Sequence, residues 1–408
     1  MQRILLILPS ETYRAKAFLD AAQNIGAEII IAFDKNQPMS PLMGNRALEL
    51  DFCSPEQSLT LVKKSHNKNK FDSIVAVDEQ SVELAAFFAN NLGLRYSSVG
   101  SVALTRNKAQ MRKAFAAHNV PQANFKIINT VDDIVQSSKE IGFPCVVKPT
   151  TLSGSRGVIR IDNKEQAQQA TITLSNILTS LQSQPNSEIL IETYLPGKEV
   201  AVEAIIERGN LHILAIFDKP DPLEGPYFEE TIYVTPSRLD EKTQEAIKTA
   251  CELGCAALGL DEGPIHAELR VQPQKAWVIE VASRSIGGLC SQSLSFGPGM
   301  TLEEIILRHA LGMDLTNTQR EKLSSGVMML PIRQKGILKE VKNQEKALQI
   351  PQITGLQISI LPGKKVIPLP EGDRYLGFLF AKGSSPDQVE TALRKAHAEL
   401  EVIIEDQE

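Results

Sequence analysis

The sequence predicts a multidomain protein of mixed α/β and α+β class, and three observations support this. The chain has 408 residues, which suffices for two to four domains of roughly 100–200 residues each. Its first third alternates short apolar runs with helical patterns, as in a parallel sheet with crossover helices. Later apolar runs are separated by short turns instead, which is typical of antiparallel strand pairs.

The composition argues against several functional classes. Hydrophobic residues make up 42% and charged residues 23%, close to the average for globular proteins. The net charge of −6 argues against a nucleic-acid or anionic-membrane partner. No apolar run reaches the ~18 residues of a membrane span, and the chain turns polar at Pro9–Glu11, too soon for a signal peptide. We therefore expect a cytoplasmic protein with no nucleic-acid partner and no membrane partner.

The five cysteines are too few and too scattered for a disulfide framework, and none forms a Cys-x-x-Cys pair. Cys251 and Cys255 lie four residues apart on a predicted helix. This spacing favours one buried helix face over a redox or metal site.

The N-terminal elements are predicted from hydrophobic periodicity and stop signals. Strands are expected at Ile4–Leu8, Ile29–Phe33 and Ile74–Val77. Helices are expected over Arg14–Ile25 and from about Gln80 to Leu92, each followed by a glycine in the usual stop position. The turn after the first strand contains no glycine, so a dinucleotide-binding fingerprint is absent where it would be required.

The rest of the chain predicts further strands and capped helices. Strands are expected at Cys145–Pro149, Ile189–Ile191, Val200–Glu207, Ile265–Arg270 and Ala276–Val281, and a helix over Asp240–Leu258. The polar stretch Thr171–Asn186 is interpreted as a helix end and an exposed loop. Thr301–Glu304 is a capping box, and Ser385-Pro386 begins the last helix with an N-cap and a proline at the first position.

The most informative feature is a predicted hairpin that brings two glutamates together. Because strand side chains alternate between faces, His266, Glu268 and Arg270 share one face. With the turn centred near Gln274, Glu268 lies opposite Glu280, with Cβ atoms about 5 Å apart. Like charges repel there, and a hard divalent cation bound by both carboxylates, phosphate oxygens and water resolves the conflict. The alternative is a solvated sheet face on which Arg270 neutralises one glutamate.

A second feature is a lysine on a strand that precedes a loop of small residues. Lys148 lies in the strand, and the loop contains Ser153, Gly154, Ser155 and Gly157. Small residues let backbone N–H groups approach a polyphosphate, and the lysine adds a positive charge. The order differs from a Walker motif, in which the lysine ends the loop and a helix follows. An ordinary turn is the alternative for the loop taken alone.

A third feature is the segment 189–200, predicted as a buried strand, a tight connection and a second strand. Backbone groups in such a connection can bind the edge of an adenine, and a carboxylate just beyond it can bind ribose hydroxyls. A plain hairpin with two surface acids is the alternative.

In this order, these segments resemble the ATP-grasp superfamily. The matching residues are Asn107-Lys108, Val147-Lys148-Pro149, the loop Ser153–Gly157, Glu192-x-x-Leu195, Gly197-Lys198-Glu199, and Glu268 with Glu280-x-x-x-Arg284. The resemblance covers residues 1 to about 315, and the region after 320 resembles the small C-terminal domain of biotin-carboxylase-like members. The chain is most similar to carboxylate–amine ligases, which include bacterial L-amino-acid ligases.

The resemblance implies an ATP-grasp fold in three parts. A Rossmann-like domain is expected over residues 1–105, an ATP-grasp domain over 106–320 with a lid at about 127–195, and a small α+β domain over 321–408. The implied cofactors are ATP and Mg²⁺, with Mn²⁺ as an alternative.

The resemblance also implies a role for each matching residue. Lys108 and Lys148 would contact ATP phosphates, and the loop with Ser153, Gly154, Ser155 and Gly157 would close over these phosphates. Glu192 and Leu195 would offer main-chain groups to adenine. Glu199 would bind ribose. Glu268 and Glu280 would bind the metal. Arg284 would face the transferred phosphoryl group or the acyl phosphate, so Arg284 and Lys148 are the catalytic candidates.

One position departs from the superfamily pattern. Many members carry an asparagine two residues after the second glutamate as a further metal ligand, and this chain has Ala282. The resemblance therefore leaves two alternatives, a site with one magnesium ion and a site with two.

The implied reaction joins a carboxylate and an amine, expected to be amino acids, through an acyl phosphate, with release of ADP and phosphate. Phosphoryl transfer needs positioning and charge neutralisation more than covalent catalysis, which suits lysines, carboxylates and an arginine. Two alternatives remain: an ATP-dependent carboxylase that uses bicarbonate, and a non-catalytic nucleotide-binding regulator. A homodimer is expected from the resemblance.

Three further features each have two interpretations. The loop Asp218–Glu230 binds a substrate ammonium group or is a proline-stiffened surface loop. The backbone N–H groups of Ser285–Gly288 hold a carboxylate or acyl phosphate, or the segment is a plain turn. His266 assists a proton transfer or orients a substrate, or it is a structural hydrogen-bonding residue.

Overall fold

The computed structural model describes residues 1–10, 12–34, 46–181 and 188–406, and it begins with a parallel sheet. In these ranges the sheet has the order β3-β2-β1-β4. Its strands are β1 (Arg3–Leu8), β2 (Glu28–Phe33), β3 (Ala47–Glu49) and β4 (Ser73–Ala76), and the helices in this part of the chain are α1 (Ala15–Ile25), α2 (Pro55–Lys68), α3 (Val82–Leu92), α4 (Val99–Arg106) and α5 (Lys108–Ala117). Gly26 and Gly93 end α1 and α3 with φ of 69° and 67°, as their stop positions predict. The predicted α/β unit is confirmed, with β3 and α2 as additions.

A second, antiparallel sheet, here termed the lid sheet, overlaps the region that is predicted to be the lid. Its described strands lie in the order β5-β8-β6-β7. They are β5 (Phe125–Ile128), β6 (Cys145–Pro149), β7 (Ile159–Ile161) and β8 (Ile189–Thr193), accompanied by α6 (Ile134–Ile141) and α7 (Lys164–Ser180).

The polar stretch Thr171–Asn186 is more helical than expected, because α7 continues to Ser180. Ala167, Ala170, Leu174 and Ile177 are buried at helical spacing, so a narrow apolar stripe maintains the helix despite its polar composition. Residues 182–186 of this stretch lie outside the described residues.

A large sheet forms the centre of the molecule. Among the described residues its order is β13-β12-β9-β10-β11-β14-β18-β16. The strands are β9 (Lys198–Glu207), β10 (Asn210–Lys219), β11 (Ile232–Thr235), β12 (Glu262–Gln272), β13 (Lys275–Ala282), β14 (Ser324–Leu330), β16 (Ile353–Ile358) and β18 (Gly377–Gly383); α8 (Glu241–Leu258) and α9 (Leu302–Ala310) belong to the same part of the chain. Cys251 and Cys255 are buried in α8, which confirms the predicted buried helix face.

The large sheet continues across residue 320. Strand β11 pairs with β14, so that Ile232 lies opposite Met328. The division of the chain at residues 105 and 320 stays a prediction, but the last predicted domain shares hydrogen-bonded strands with the one before it.

A small sheet and two helices complete the C-terminal part. The described strands β15 (Gly336–Lys342), β17 (Lys365–Val366) and β19 (Glu401–Glu405) have the order β17-β15-β19, and the helices are α10 (Gln344–Leu348) and α11 (Pro386–Glu399). Ser385 caps α11 by accepting a hydrogen bond from the N–H of Gln388 at 3.3 Å. This confirms the predicted start of the last helix.

One hydrophobic core joins the N-terminal sheet to the large sheet. Phe18 of α1, Phe217 of β10, Leu307 of α9 and Phe378 of β18 all belong to it. This core fixes how the edge of the N-terminal sheet faces the large sheet, where the predicted site lies. In the described part of the chain, no helix is both long and apolar enough to cross a bilayer.

Candidate active site

A cleft of about 570 Å³ collects nearly all of the predicted site residues. It is lined by the lid sheet, the large sheet, the N-terminal unit and β18, and its lining includes Lys108, Lys148, Ser153, Gly154, Ser155, Glu192, Leu195, Glu199, Glu268, Glu280 and Arg284. Gly157 is not part of this lining and instead packs against Pro149. Its φ is 73°, and a Cβ there would lie 2.9 Å from the ring of Pro149, so only glycine fits without strain.

The paired glutamates lie as the sequence predicts. Glu268 is in register with Glu280 across the β12–β13 ladder, with a shift in register immediately after this pair. His266, Glu268 and Arg270 line the cleft, while Ile265, Ala267 and Leu269 are buried on the opposite face. The local period of two therefore determines which side chains reach the site.

The alternative in which Arg270 neutralises one of this pair is wrong. The Arg270 Nε atom lies 3.0 Å from Glu199 Oε2. Glu280 instead accepts a hydrogen bond from Lys108 Nζ at 3.1 Å. Glu268 Oε1 lies 3.4 Å from both Lys219 Nζ and His266 Nε2. Each carboxylate of the pair thus has its own cationic partner.

Three carboxylates gather around Lys219. Ligand oxygens of Glu199, Glu230 and Glu268 lie within 4.8 Å of one another, and Lys219 Nζ donates to Glu199 at 2.8 Å and also to Glu230. Burial lowers the pKa of Lys219, but the three negative charges outweigh it and raise that pKa well above its usual value. The oxygens suit a hard cation, and Lys219 offsets one of the three negative charges.

The pKa values of Glu230 and Glu268 are shifted in opposite directions. Burial raises the pKa of Glu230, and the neighbouring charge of Glu268 adds to this. Burial also disfavours the charged form of Glu268, but Lys219 and His266 hold its pKa well below the usual range. Tyr233 donates a hydrogen bond from its hydroxyl to Glu230 at 2.6 Å. The loop Asp218–Glu230 thus contributes to the cleft, although sequence reasoning did not single out Lys219 or Glu230.

Lys148 is held deep in the cleft by Glu192. Its Nζ atom lies 2.5 Å from Glu192 Oε2, and both side chains are 6% exposed. Arg112 also donates to Glu192. Burial raises the pKa of Glu192, but the charges of Arg112 and Lys148 lower it to about 2. The carboxylate of Glu192 is therefore an anchor for Lys148.

Arg284 is positioned by a residue that sequence reasoning missed. Its Nε donates to Glu79, which lies directly after β4, and Glu79 also accepts from Arg106 at 2.6 Å. Burial raises the pKa of Glu79, but Arg284 and Arg106 lower it to about 2. The position of Glu79 after a predicted strand could have indicated this role, because sites in parallel α/β sheets form at the carboxyl ends of the strands.

The segment after Arg284 is partly committed to internal hydrogen bonds. The N–H of Ile286 donates to Glu203 at 2.9 Å, and Ser285 Oγ accepts from Arg14 at 2.7 Å. The predicted availability of the Ile286 N–H for an anion is therefore wrong, whereas Gly287 and Gly288 line the cleft.

The contacts of His266 favour the structural interpretation. Its Nδ1 lies 2.5 Å from Glu203. Burial lowers the pKa of His266, but Glu203 and Glu268 raise it to about 9.

Comparison with known proteins agrees with this geometry. A family model described as the ATP-grasp domain matches residues 141–293, and one described as L-amino acid ligase C-terminal domain 2 matches residues 328–405. The chain is 28% identical over 253 residues to an alanine–anticapsin ligase of Bacillus subtilis (strain 168), which covers 58% of this chain and 53% of that protein. It spans about half the length of the curated relatives that it matches.

Solved structures show the same fold along the chain. The crystal structure of an L-amino acid ligase from Bacillus licheniformis matches with a TM-score of 0.80 at 23% identity, over 100% of this chain and 99% of that chain. A biotin carboxylase from Campylobacter jejuni matches with a TM-score of 0.68 at 16% identity, over 99% and 92%. Residues 141–293 therefore form an ATP-grasp domain, residues 328–405 match a domain of L-amino acid ligases, and the chain as a whole has the fold of these enzymes.

Proposed function

We propose that this protein is an ATP-dependent carboxylate–amine ligase that joins two amino acids through an acyl phosphate. The observation that carries the proposal is the convergence of Lys108, Lys148, Glu268, Glu280 and Arg284 on one cleft. The names of its relatives, alanine–anticapsin ligase and L-amino acid ligase, support amino acids as the substrates.

ATP binds between the lid and the large sheet in this proposal. Lys148 and Lys108 contact the phosphates, and the loop Ser153–Gly157 closes over them. Gly154 and Gly157 have φ of 65° and 73°, so the loop backbone adopts conformations that side chains disfavour. Main-chain groups of residues 192–195 bind adenine, and Glu199 binds ribose.

Mg²⁺, or Mn²⁺ in its place, is assigned to Glu268 and Glu280. The donors suit a hard cation, because Glu268 and Glu280 lie on one ladder rung and both line the cleft. Lys108 lies beside Glu280 and Lys219 beside Glu268. Ala282 is buried and offers no oxygen beside Glu280, so we assign a single ion to this pair. The ion, when bound, neutralises charge on the phosphates.

The chain's own groups position the reacting atoms. The substrate carboxylate attacks the γ-phosphorus, the bond to the β–γ bridging oxygen breaks, and ADP leaves. Arg284, held by Glu79, stabilises the transferred phosphoryl group. The second amino acid, as a free amine, then attacks the acyl carbon and expels phosphate. Glu230, a buried carboxylate on the cleft wall, binds a substrate ammonium group.

The nucleotide product tests the reaction class. Pairs of amino acids should release ADP and phosphate, and hydroxylamine should trap the acyl phosphate as a hydroxamate when the second amino acid is omitted. AMP and pyrophosphate as products would contradict the proposal. ADP release with bicarbonate in place of the amino acid pair would indicate the carboxylase alternative. Nucleotide binding without turnover for every pair would indicate a regulator.

Two expectations stay predictions. A homodimer is checked by light scattering of the purified protein, and a cytoplasmic location by cell fractionation.

A further inference from the structure

We propose that the cleft contains an apolar chamber that selects an amino acid substrate with a large apolar or aromatic side chain. The C-terminal strands β14 and β18 provide its inner wall. This inference rests on the proposed function and adds the substrate class to it.

Aromatic and sulfur-containing side chains surround the chamber. They are Tyr13, Tyr233, Cys290, Met329, Tyr375 and Phe378, all of which line the cleft. The ring of Phe378 lies 6.1 Å from that of Tyr375 and 6.3 Å from that of Tyr13, both edge-on. Cys290 Sγ lies 3.4 Å from Met329 Sδ. Tyr13 is exposed and Tyr375 is half-buried, whereas the other four are at most 2% exposed. Together they form an aromatic and apolar wall of the kind that binds apolar ligand groups.

The chamber adjoins the segment that follows Arg284. Gly288 has φ of 60°, and a Cβ there would lie 2.9 Å from the ring of Phe378. The backbone of the segment therefore lies directly against the aromatic wall. A substrate whose reacting carboxylate lies near Arg284 has this surface within reach of its side chain.

A carboxylate adjoins the aromatic side chains of the chamber. Glu230 is held there by the hydroxyl of Tyr233 at 2.6 Å, whereas Met329, Cys290 and Phe378 are at most 2% exposed and carry no charge. A zwitterionic amino acid matches this division, with its ammonium group on Glu230 and its side chain against the aromatic wall. A charged side chain would lose its hydration against Met329, Cys290 and Phe378, none of which carries a charge to pair with it.

Direct binding tests the chamber separately from turnover. Glycine, alanine, serine, lysine, leucine and phenylalanine are titrated into the full-length protein with Mg-ADP present, by calorimetry. Leucine and phenylalanine should bind at least about tenfold more tightly than alanine, because side-chain differences in apolar pockets discriminate by roughly 10- to 200-fold. Lysine and serine should bind no better than alanine.

Two variants and a matched control locate the effect. Tyr375→Ala and Phe378→Leu should each reduce the preference for phenylalanine over alanine at least fivefold. Phe380→Leu is the control, since its ring stacks on Phe378 at 6.5 Å and follows it on the same face of β18. Phe380→Leu should keep the wild-type preference for phenylalanine over alanine within twofold. A general loss of protein stability would affect it as much as Phe378→Leu.

Each outcome decides the inference. Equal affinities for all amino acids of the series would overturn the chamber. The same conclusion would follow if Phe380→Leu lowered the preference for phenylalanine over alanine as much as Phe378→Leu does. If the apolar preference is present but no amino acid pair releases ADP, the chamber stands and the ligase proposal fails.

Discussion

The two ends of the cleft are built from different kinds of interaction. At the end proposed to bind the nucleotide, ionic groups from distant segments pair with one another, as in Lys148 with Glu192, Lys108 with Glu280 and Arg284 with Glu79. At the other end, Met329 and Phe378 extend the hydrophobic core that joins the N-terminal sheet to the large sheet. One end is a set of paired charges, and the other is a part of the hydrophobic core that borders the cleft.

This difference separates activity from stability. Buried ion pairs contribute little net stability, because desolvation offsets most of their attraction, but they hold side chains in defined positions. Apolar core residues contribute directly to the free energy of folding. Substitutions at the ionic end that leave the remaining partner another counter-charge should therefore reduce turnover more than stability. Substitutions at the apolar end should reduce stability and selectivity together.

The largest effect is expected from Lys148→Ala. Loss of the charge on the phosphates should cost about 2–5 kcal/mol, or roughly 30- to 5,000-fold in kcat/KM. The fold should survive, because Glu192 keeps its pairing with Arg112. Steady-state kinetics and thermal unfolding check both statements. Lys126→Ala is the control, since Lys126 pairs with Glu140 on the outside of the same sheet. Wild-type turnover in a folded Lys148→Ala protein would remove this lysine from the mechanism.

Glu280→Gln should abolish magnesium-dependent activity with little change in the unliganded protein. Lys108 retains its hydrogen bond to the carbonyl of Leu152 at 2.8 Å. A ligand at 100 times its Kd stabilises a protein by about 2.7 kcal/mol, and the variant should lose the part of this that depends on Mg²⁺. Thermal unfolding with and without Mg-ADP measures this loss of stabilisation. Glu321→Gln is the control, because Glu321 forms an ion pair with Lys382. Full Mg-ADP stabilisation in the variant would show that Glu280 is not a ligand.

Glu79→Gln should lower kcat about tenfold and leave the KM for ATP within twofold, because orientation of a transition-state contact typically contributes on that order. Arg284 would then be held mainly by the carbonyl of Ser285 at 3.0 Å. Partial rescue by Glu79→Asp distinguishes positioning from general damage. Glu83→Gln is the control, since Glu83 lies 3.8 Å from the same Arg106 but is exposed. An unchanged kcat would show that Arg284 needs no anchor.

The smallest effect concerns pH. The pKa of His266 is raised from 6.5 to about 9 in the folded protein, so its favourable contribution is complete below pH 6.5 and is lost as the pH rises towards 9. The unliganded protein should therefore lose a few degrees of Tm across this range. His266→Gln should flatten the profile, whereas the exposed His118→Gln should not. A wild-type Tm that stays level between pH 6.5 and 9 would contradict the assignment.

The local periodicity of the sequence determined much of the site. The alternation along 265–270 and the turn near Gln274 suffice to place Glu268 opposite Glu280, because strand pairing has a period of two. Likewise, the order of Lys148 and its loop specifies a strand followed by a flexible connection. Such features depend on neighbours within a few residues, so the sequence alone carries them.

Tertiary structure decided which charges meet and which side chains form the aromatic wall. The sequence shows that Glu79 follows a strand, but only packing of the N-terminal unit against the large sheet brings it to Arg284, 205 residues away. Arg270 was an equally plausible partner for the glutamate pair, yet the fold assigns it to Glu199 and brings Lys219 to Glu268. The aromatic wall likewise exists because β14 and β18 join the large sheet beside β11. Local periodicity determines the face on which a side chain lies, whereas its partner across the cleft depends on how distant segments pack.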